Sequence, residues 1–463
     1  MVALLCLFST LFTSCDKQDD FDVEMTLVQM ANRFVLQYNE LYYLWNDKID
    51  YNKSYMTPTD PYAFFESLMY RNLDQWSYLT DDAEALFGSY EGVETTYGYR
   101  LTVINFTHLK EYAAVVNFVY PDSPAEKAGL KRGDILYLID GAPISESNYM
   151  NLYYSSSMAV ETATYDRANG KLEQTGEIYQ MSAVKMELDA VNAHTIIEID
   201  GHKIGYICYT DYLISSHAKM SRICDEFKSA GVDDVVLDLR YNLGGAAITS
   251  TYISSLFAPK SALINKELFL KEIWNTTLTN YWISEGVMLS EKFEEAALGH
   301  NLDLKRIYIL TTSSTASASE ATIVGLKPYM DVITIGEKSH GKYCAAVLIQ
   351  PMDSKGEIIP EIANWAMSLV AYKYANKDGF TDFTGGLEPV HNVEVDIFSS
   401  TPFGDPSEPC LAKAIELITG KVVANTPSVK SSAQLQLPCS VDVSATENLN
   451  RPFGGMVKFG SLR

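Results

Sequence analysis

The stretch that decides the fold is VVLDLRYNLGGA, residues 235–246. Its first half is an apolar run of the kind that forms a buried strand, and its end is the glycine pair Gly244-Gly245. Two adjacent glycines let the backbone turn sharply and present N–H groups to a ligand. A second interpretation makes this an ordinary strand-to-helix turn in which Asp238 pairs with Arg240.

Outward from this stretch, apolar strands alternate with helical patterns, which is typical of an α/β core with a mainly parallel sheet. We place that core at residues 191–420. The predicted strands are 203–209, 235–239, 306–311 and 332–336, and the predicted helices are 217–230, a longer helical stretch before 306, one after 317, and 411–419.

Residues 315–320, TASASE, lie between the predicted strand 306–311 and the helix that follows. Ser317 and Glu320 fit the S-x-x-E pattern, so one interpretation makes Ser317 only the N-cap of a capping box. The other interpretation places a nucleophilic hydroxyl at a strand-to-helix elbow, where the helix N-terminus stabilises developing negative charge. A lysine, Lys342, ends the stretch GEKSHGK at residues 336–342.

These motifs together resemble those of the C-terminal processing, or tail-specific, proteases, which are Ser-Lys peptidases with an inserted PDZ domain. The matching stretches are S-A-S-E at 317–320 with its preceding Ala316, G-E-x-x-x-G-K at 336–342, D-L-R-x-N-x-G-G at 238–245, D-x-x-S-x-L at 74–79 and G-x-x-P at 386–389. The resemblance covers roughly residues 25–420 and implies a ClpP/crotonase-like α/β catalytic core.

The resemblance implies a serine endopeptidase in which Ser317 is the nucleophile and Lys342 the general base. Backbone N–H groups of Ala318 and of Gly244 or Gly245 would hold the oxyanion. An ammonium group cannot accept a proton, so burial has to lower the pKa of Lys342 from its ordinary value of about 10.4.

Several residues keep other interpretations open. The family often has a glutamine four residues after the lysine, where this chain has Ala346. His340, His391 and Lys338 are alternative bases, and Cys344 is an alternative nucleophile. The alternative function is a catalytically weak or silent PDZ lipoprotein that binds peptide tails as an adaptor, and the alanine favours it.

A second domain is predicted at residues 91–190, where SPAEKAGLKRGDIL, residues 123–136, resembles the helix-turn-strand of bacterial PDZ domains. Strands are predicted at 99–103 and 113–119, with a hairpin whose turn is Asn169-Gly170. Such a domain adds an extended peptide as a strand and holds its terminal carboxylate in backbone N–H groups. The corresponding peptide-binding loop is Tyr97, Gly98 and Tyr99. Some PDZ domains serve only as spacers.

The chain before this domain divides into a leader and a helical region. Residues 1–14 are apolar and match a signal-peptide core, and LFTSC, residues 11–15, resembles a bacterial lipobox. The resemblance implies a lipid on Cys15 and a place in the cell envelope, with DKQDD after it resembling the export signal of Bacteroidetes surface lipoproteins. The alternative is a buried strand. Residues 21–90 are predicted to be a helical domain, with one helix to about residue 47 and another from Pro61 to Met69.

Net charge and cysteine spacing indicate which classes of partner and cofactor to expect. The net charge is −23 with no basic stripe, so a nucleic acid partner is not expected. No CxxC or similar spacing suggests a metal, and no cofactor is predicted. The expected partners are protein or peptide substrates with accessible C-termini, and the membrane through the N-terminal lipid. Residues 421–463 form a tail to which the sequence assigns no role.

Overall fold

A computed structural model describes residues 25–106 and 109–423, together with two short strands at 441–442 and 457–458. The predicted signal peptide at residues 1–20, the lipidation site Cys15 and most of the tail at 421–463 lie outside the described residues. These stay predictions.

Strands outnumber helices along the described chain, and several strands follow one another directly. The helices are α1 (Leu27–Tyr42), α2 (Pro61–Glu66), α3 (Ala83–Glu91), α4 (Pro124–Ala128), α5 (Asn151–Tyr154), α6 (His217–Ala230), α7 (Ala247–Phe257), α8 (Lys260–Ile264), α9 (Thr276–Ser284), α10 (Ala318–Leu326) and α11 (Pro409–Thr419). The strands are β1 (Tyr78–Thr80), β2 (Val93–Thr96), β3 (Tyr99–Phe106), β4 (Glu111–Val119), β5 (Ile135–Ile139), β6 (Ala142–Pro143), β7 (Ser157–Asp166), β8 (Lys171–Ser182), β9 (Val184–Glu187), β10 (Val191–Ile199), β11 (His202–Tyr209), β12 (Asp234–Asp238), β13 (Leu268–Trp274), β14 (Ser290–Lys292), β15 (Arg306–Thr311), β16 (Asp331–Gly336), β17 (Cys344–Ile349), β18 (Ala366–Ala375), β19 (His391–Asn392), β20 (Val441–Asp442) and β21 (Val457–Lys458).

The predicted parallel sheet is confirmed. Its strand order is β10-β11-β12-β15-β16-β19, and every neighbouring pair is parallel except β10 with β11. Alternate residues of β12 pack on opposite faces: Val235 and Leu237 belong to the largest core, while Val236 packs in a second core with Leu411 and Ile415 of α11. Burial on both faces explains why this strand is a continuous apolar run.

A second, mostly antiparallel sheet was not predicted. Its order is β14-β13-β18-β17-β21, with β1 beside β18. The long helical stretch predicted before residue 306 was therefore wrong in part, because it contains β13 and β14 as well as α7, α8 and α9. The sequence of β13, LFLKEIW, is a short apolar run whose helical and strand periods are hard to distinguish.

The N-terminal region contains the helices α1, α2 and α3, and mostly irregular segments at residues 43–60 and 67–77 separate them and lead into β1. The first helix ends at Tyr42, earlier than predicted, and Tyr43 is extended. Asp60 accepts a hydrogen bond from the N–H of Tyr62, with Pro61 as the first helical residue, so the predicted start of α2 is confirmed. Strand β1 then pairs antiparallel with β18 of the second sheet.

The region predicted to resemble a PDZ domain forms its own sheet and core. The sheet order is β20-β3-β4-β5-β7-β8, with β6 beside β5, and the predicted strands and the β7–β8 hairpin are confirmed. Leu101, Val116 and Leu136 belong to a core cluster separate from that of the parallel sheet. The chain enters and leaves this region through the antiparallel ribbon β2–β9.

The cysteines and the helix lengths of the described residues decide whether disulfides or membrane-spanning helices occur there. Cys208, Cys224, Cys344 and Cys410 are all buried and free, so no disulfide joins them. Within the same ranges, none of the helices is long and apolar enough to cross a bilayer.

A buried ion cluster joins the strand end after β12 to α11. The Arg240 guanidinium donates to both carboxylate oxygens of Asp238, at 2.9 and 2.7 Å, and to Glu408 at 2.6 Å. Glu408 also caps α11 by accepting the N–H of Leu411. The predicted Asp238–Arg240 pairing is therefore present, and it anchors the loop that leads to the glycine pair.

Replacing Arg240 with methionine is expected to lower the free energy of unfolding by about 3–5 kcal/mol, because two carboxylates then stay buried without their cation. Urea denaturation at pH 7 measures this loss. The matched control is Arg167→Met, which breaks an exposed pair with Asp396 and is expected to cost about 0–1 kcal/mol. Equal losses in the two variants would contradict the assigned role of the cluster.

Candidate active site

Ser317 lies on a strained turn between β15 and α10. It is fully buried, and its φ of 59° and ψ of −109° place a non-glycine residue at positive φ. Such backbone strain persists only where surrounding contacts hold it, and it concentrates at functional sites. The turn is held against the Arg240–Asn242 loop, since the N–H of Ala316 and the hydroxyl of Ser319 both donate to the Asn242 carbonyl, each at 3.0 Å.

The glycine pair lies directly against this turn. Gly244 and Gly245 have φ of 108° and 145°. A Cβ on Gly244 would stand 3.0 Å from the Ser317 Cβ and 3.1 Å from the Ala318 nitrogen, and one on Gly245 would stand 2.5 Å from the Tyr212 carbonyl oxygen. Both positions therefore require glycine for their backbone angles and for the close approach.

The three predicted oxyanion donors differ in what they already bind. The Gly244 N–H donates to the Asn242 side-chain oxygen at 2.8 Å, so it is occupied. Within residues 25–106 and 109–423, the N–H groups of Gly245 and Ala318 have no hydrogen-bond acceptor. These two groups are therefore the available donors beside Ser317.

Glu320 ties the serine turn to the lysine loop. Its buried carboxylate accepts four hydrogen bonds: from the Ser317 N–H at 2.8 Å, the Lys342 N–H at 2.9 Å, the Gly341 N–H at 2.6 Å and the Ser339 hydroxyl at 2.5 Å. The predicted capping contact between Glu320 and the Ser317 backbone is confirmed, but the same carboxylate also fixes the lysine backbone. Burial raises the pKa of Glu320 to about 7, and the hydrogen bonds oppose that rise.

Tyr374 of β18 joins the same two residues from the other side. Its hydroxyl lies 3.1 Å from the Ser317 carbonyl oxygen and 2.9 Å from the Lys342 carbonyl oxygen. One hydroxyl and one carboxylate thus bridge the backbones of both residues. The backbones of Ser317 and Lys342 are therefore linked through these two shared partners.

The Lys342 side chain is buried against the N-terminal region. Its Nζ lies 5.6 Å from the ring centroid of Trp76, and burial lowers the pKa of its amine, while the negative charges of Asp74 and Glu320 act in the opposite direction. Desolvation favours the neutral amine that a general base requires.

The Asp74–Leu79 stretch positions this tryptophan. The buried Asp74 carboxylate accepts the Tyr43 hydroxyl and the N–H groups of Trp76 and Ser77, each at 2.9 Å. The Ser77 hydroxyl in turn accepts the N–H of Val370 in β18, also at 2.9 Å. The segment matched from the sequence therefore forms one wall of the lysine site.

The alternative bases and the alternative nucleophile named from the sequence can also be located in the structure. Lys338 is exposed and lies 3.6 Å from Glu388. Cys344 is buried in β17, and burial raises the pKa of its thiol. His391 lies in β19, paired with Ile335.

Two of the remaining positions lie close to the lysine. His340 is beside Trp76, with their ring nitrogens 3.4 Å apart. Ala346 packs in an apolar cluster with Leu86 and Tyr90 of the N-terminal region. No polar side chain therefore reaches the lysine from position 346.

The predicted peptide-binding loop lies in the region that resembles a PDZ domain, at the start of β3. Tyr97 and Tyr99 are buried, and their hydroxyls donate to the carbonyls of Ser155 at 2.6 Å and Leu152 at 2.5 Å. The Gly98 N–H donates to the Thr96 hydroxyl at 3.1 Å. The tyrosine side chains therefore hold α5 in place, and peptide binding by this loop stays a prediction.

Matches to known families follow the same division of the chain. Residues 203–393 match peptidase family S41, residues 115–151 match the PDZ domain, and residues 30–78 match the peptidase S41 N-terminal domain. Together the three matches follow the order helical region, inserted domain and core.

Curated relatives are similar at low identity. The chain is 23% identical over 311 residues to the carboxyl-terminal-processing protease of Synechocystis sp., covering 65% of this chain and 64% of that protein. It is 23% identical over 288 residues to the carboxy-terminal processing protease CtpA of Bacillus subtilis, covering 61% and 54%. The similarity thus spans about half to two thirds of each relative.

Solved structures share the fold. A putative S41 protease from Bacteroides fragilis aligns with a TM-score of 0.67 at 23% identity, covering 84% of this chain and 97% of that one. The photosystem II D1 C-terminal processing protease aligns with a TM-score of 0.51 at 16% identity, covering 84% and 100%.

Proposed function

Because this chain belongs to the peptidase S41 family and carries an S41 N-terminal domain and a PDZ domain, we propose that it is a serine endopeptidase with a Ser-Lys dyad. The resemblance to C-terminal processing proteases is confirmed by these matches. Its substrates are proteins cut near C-terminal tails that the PDZ domain binds, and its core is of the ClpP/crotonase-like kind. The observation that carries the proposal is the double bridge of Glu320 and Tyr374 between Ser317 and Lys342.

The chemistry follows from the arrangement. The neutral amine of Lys342 takes the proton from the Ser317 hydroxyl as Oγ bonds to the carbonyl carbon of the scissile peptide. The N–H groups of Gly245 and Ala318 stabilise the oxyanion. The protonated lysine then gives its proton to the leaving amine, and water hydrolyses the acyl-enzyme with the lysine again as base.

Digestion of β-casein tests this function. Wild-type protein is expected to cleave internal peptide bonds, with products identified by mass spectrometry. Cleavage should persist in EDTA and stop after treatment with a fluorophosphonate, because the nucleophile is a serine hydroxyl. Cleavage that EDTA abolishes and the fluorophosphonate leaves intact would contradict the proposal.

A second function is an adaptor that binds peptide tails without cleaving them, and Ala346 favours it. The family's usual glutamine is absent, and its position is filled by an apolar cluster. The adaptor function predicts an intact casein in the same experiment, together with binding of C-terminal peptides.

A further inference from the structure

The outer edge of β17 carries a short strand from the tail. Strand β21 pairs with it in parallel, with Val457 opposite Ala346 and Lys458 opposite Val347. Strand β17 begins at Cys344, two residues after Lys342. The tail strand therefore extends the sheet on the strand that follows the proposed general base.

The same tail strand contacts a second element of the site. Strand β21 contacts α7, the helix that begins at Ala247, directly after the glycine pair and Ala246. It thus contacts both the helix that follows the oxyanion donors and the strand that follows the lysine. The tail strand therefore borders the elements that follow the proposed base and the proposed oxyanion donors.

A second tail strand occupies the inserted domain. Strand β20 pairs antiparallel with β3, with Val441 opposite Phe106 and Asp442 opposite Asn105. Residue numbers rise along β20 as they fall along β3, so β20 runs towards the predicted peptide-binding loop at residues 97–99. A peptide whose C-terminal end points at that loop would run in the same direction.

We propose that β20 and β21 are built-in strand ligands of this chain, which occupy the peptide-binding edges of the PDZ domain and the catalytic core and compete with substrate. The competition with substrate rests on the proposed function, whereas the strand binding does not. Strand addition supplies main-chain hydrogen bonds that depend little on side chains. Tethering gives a ligand an effective concentration in the millimolar range, so two short strands suffice.

The full chain carrying V457P and K458P tests the proposal. Proline lacks the N–H that a ladder requires, so β21 should leave the edge of β17. Loss of a tethered competitor is expected to lower KM for a labelled casein peptide about tenfold without changing kcat. The control V457A with K458A keeps both N–H groups and should behave like wild type. Equal KM values for the proline and alanine variants would overturn the proposal.

A binding measurement separates this proposal from the proposed function. A fluorescein-labelled peptide of residues 451–463 is added to full-length chains that carry S317A, and fluorescence anisotropy is recorded. The chain with V457P and K458P should bind the peptide at least about tenfold more tightly than the chain without them, because its edge is open. Equal binding overturns the proposal even if casein is never cleaved. If the double proline variant does not fold, K458P alone is measured in the same way.

Discussion

Replacing Ser317 with alanine is expected to lower kcat for casein peptides by at least about 10⁴-fold, with little change in KM. In the proposed mechanism the hydroxyl oxygen forms the bond to the scissile carbonyl, so its removal leaves only the catalysis that the oxyanion donors and substrate binding supply. The backbone at this position is strained, with φ of 59°, and alanine keeps that strain without the reacting atom. Steady-state kinetics on a labelled peptide measures the effect.

Ser314→Ala is the matched control, because Ser314 lies in the same loop before α10 and outside the proposed machinery. It is expected to retain wild-type kinetics. If Ser317→Ala kept activity comparable to this control, Ser317 would not be the nucleophile.

Replacing Lys342 with methionine is expected to lower kcat about 10³-fold, the range for loss of a positioned general base. Methionine matches the length of the lysine stem and fills the space against Trp76, so the loss should come from the missing amine. Lys338→Met is the control, since Lys338 is exposed beside Glu388, and it should retain activity. If Lys338→Met lost activity and Lys342→Met retained it, Lys338 would be the general base.

The same substitution should also change how stability depends on pH. Burial lowers the pKa of Lys342 in the folded protein, so between that value and about 10.4 the unfolded chain binds more protons at this site. Wild-type stability therefore falls, relative to Lys342→Met, as pH decreases through this window. Urea denaturation of both proteins across pH should show a difference that grows towards lower pH, and a constant difference would contradict the burial argument.

Local patterns were sufficient to predict much of the core. Helix α6 has the predicted bounds, His217–Ala230, and β15 has the predicted bounds, Arg306–Thr311. Each combines a clear apolar period with a well-marked end, such as Gly231 in the left-handed conformation after α6. The second sheet was missed because β13 is a short apolar run whose partner, β18, lies about a hundred residues away along the chain.

In the site, too, the residues in local motifs were predicted, whereas those that act through distant contacts were missed. Ser317, Lys342 and the glycine pair stood out because each lies in a compact motif. The wider role of Glu320 was missed, because S-x-x-E indicates a cap and does not reveal that the lysine loop returns to the same carboxylate. Tyr374 could not be found, since a tyrosine in an apolar strand carries no local sign that its hydroxyl meets two distant carbonyls.

Trp76 lies within the D-x-x-S-x-L motif, but its place over the lysine follows from the docking of β1 on β18, a tertiary contact. That contact makes the N-terminal region part of the lysine site. The N-terminal region therefore shapes the environment of Lys342 only through the tertiary fold, and no single segment of the sequence reveals this.

The central claim is that a neutral Lys342 removes the proton of Ser317. The rate at which a fluorophosphonate labels Ser317, followed by mass spectrometry across pH in wild type and Lys342→Met, tests this directly. The labelling rate of wild type should rise with pH through a midpoint below the ordinary lysine value of about 10.4, and the variant should label slowly with no such rise. The same rate and pH profile in both proteins would contradict the claim.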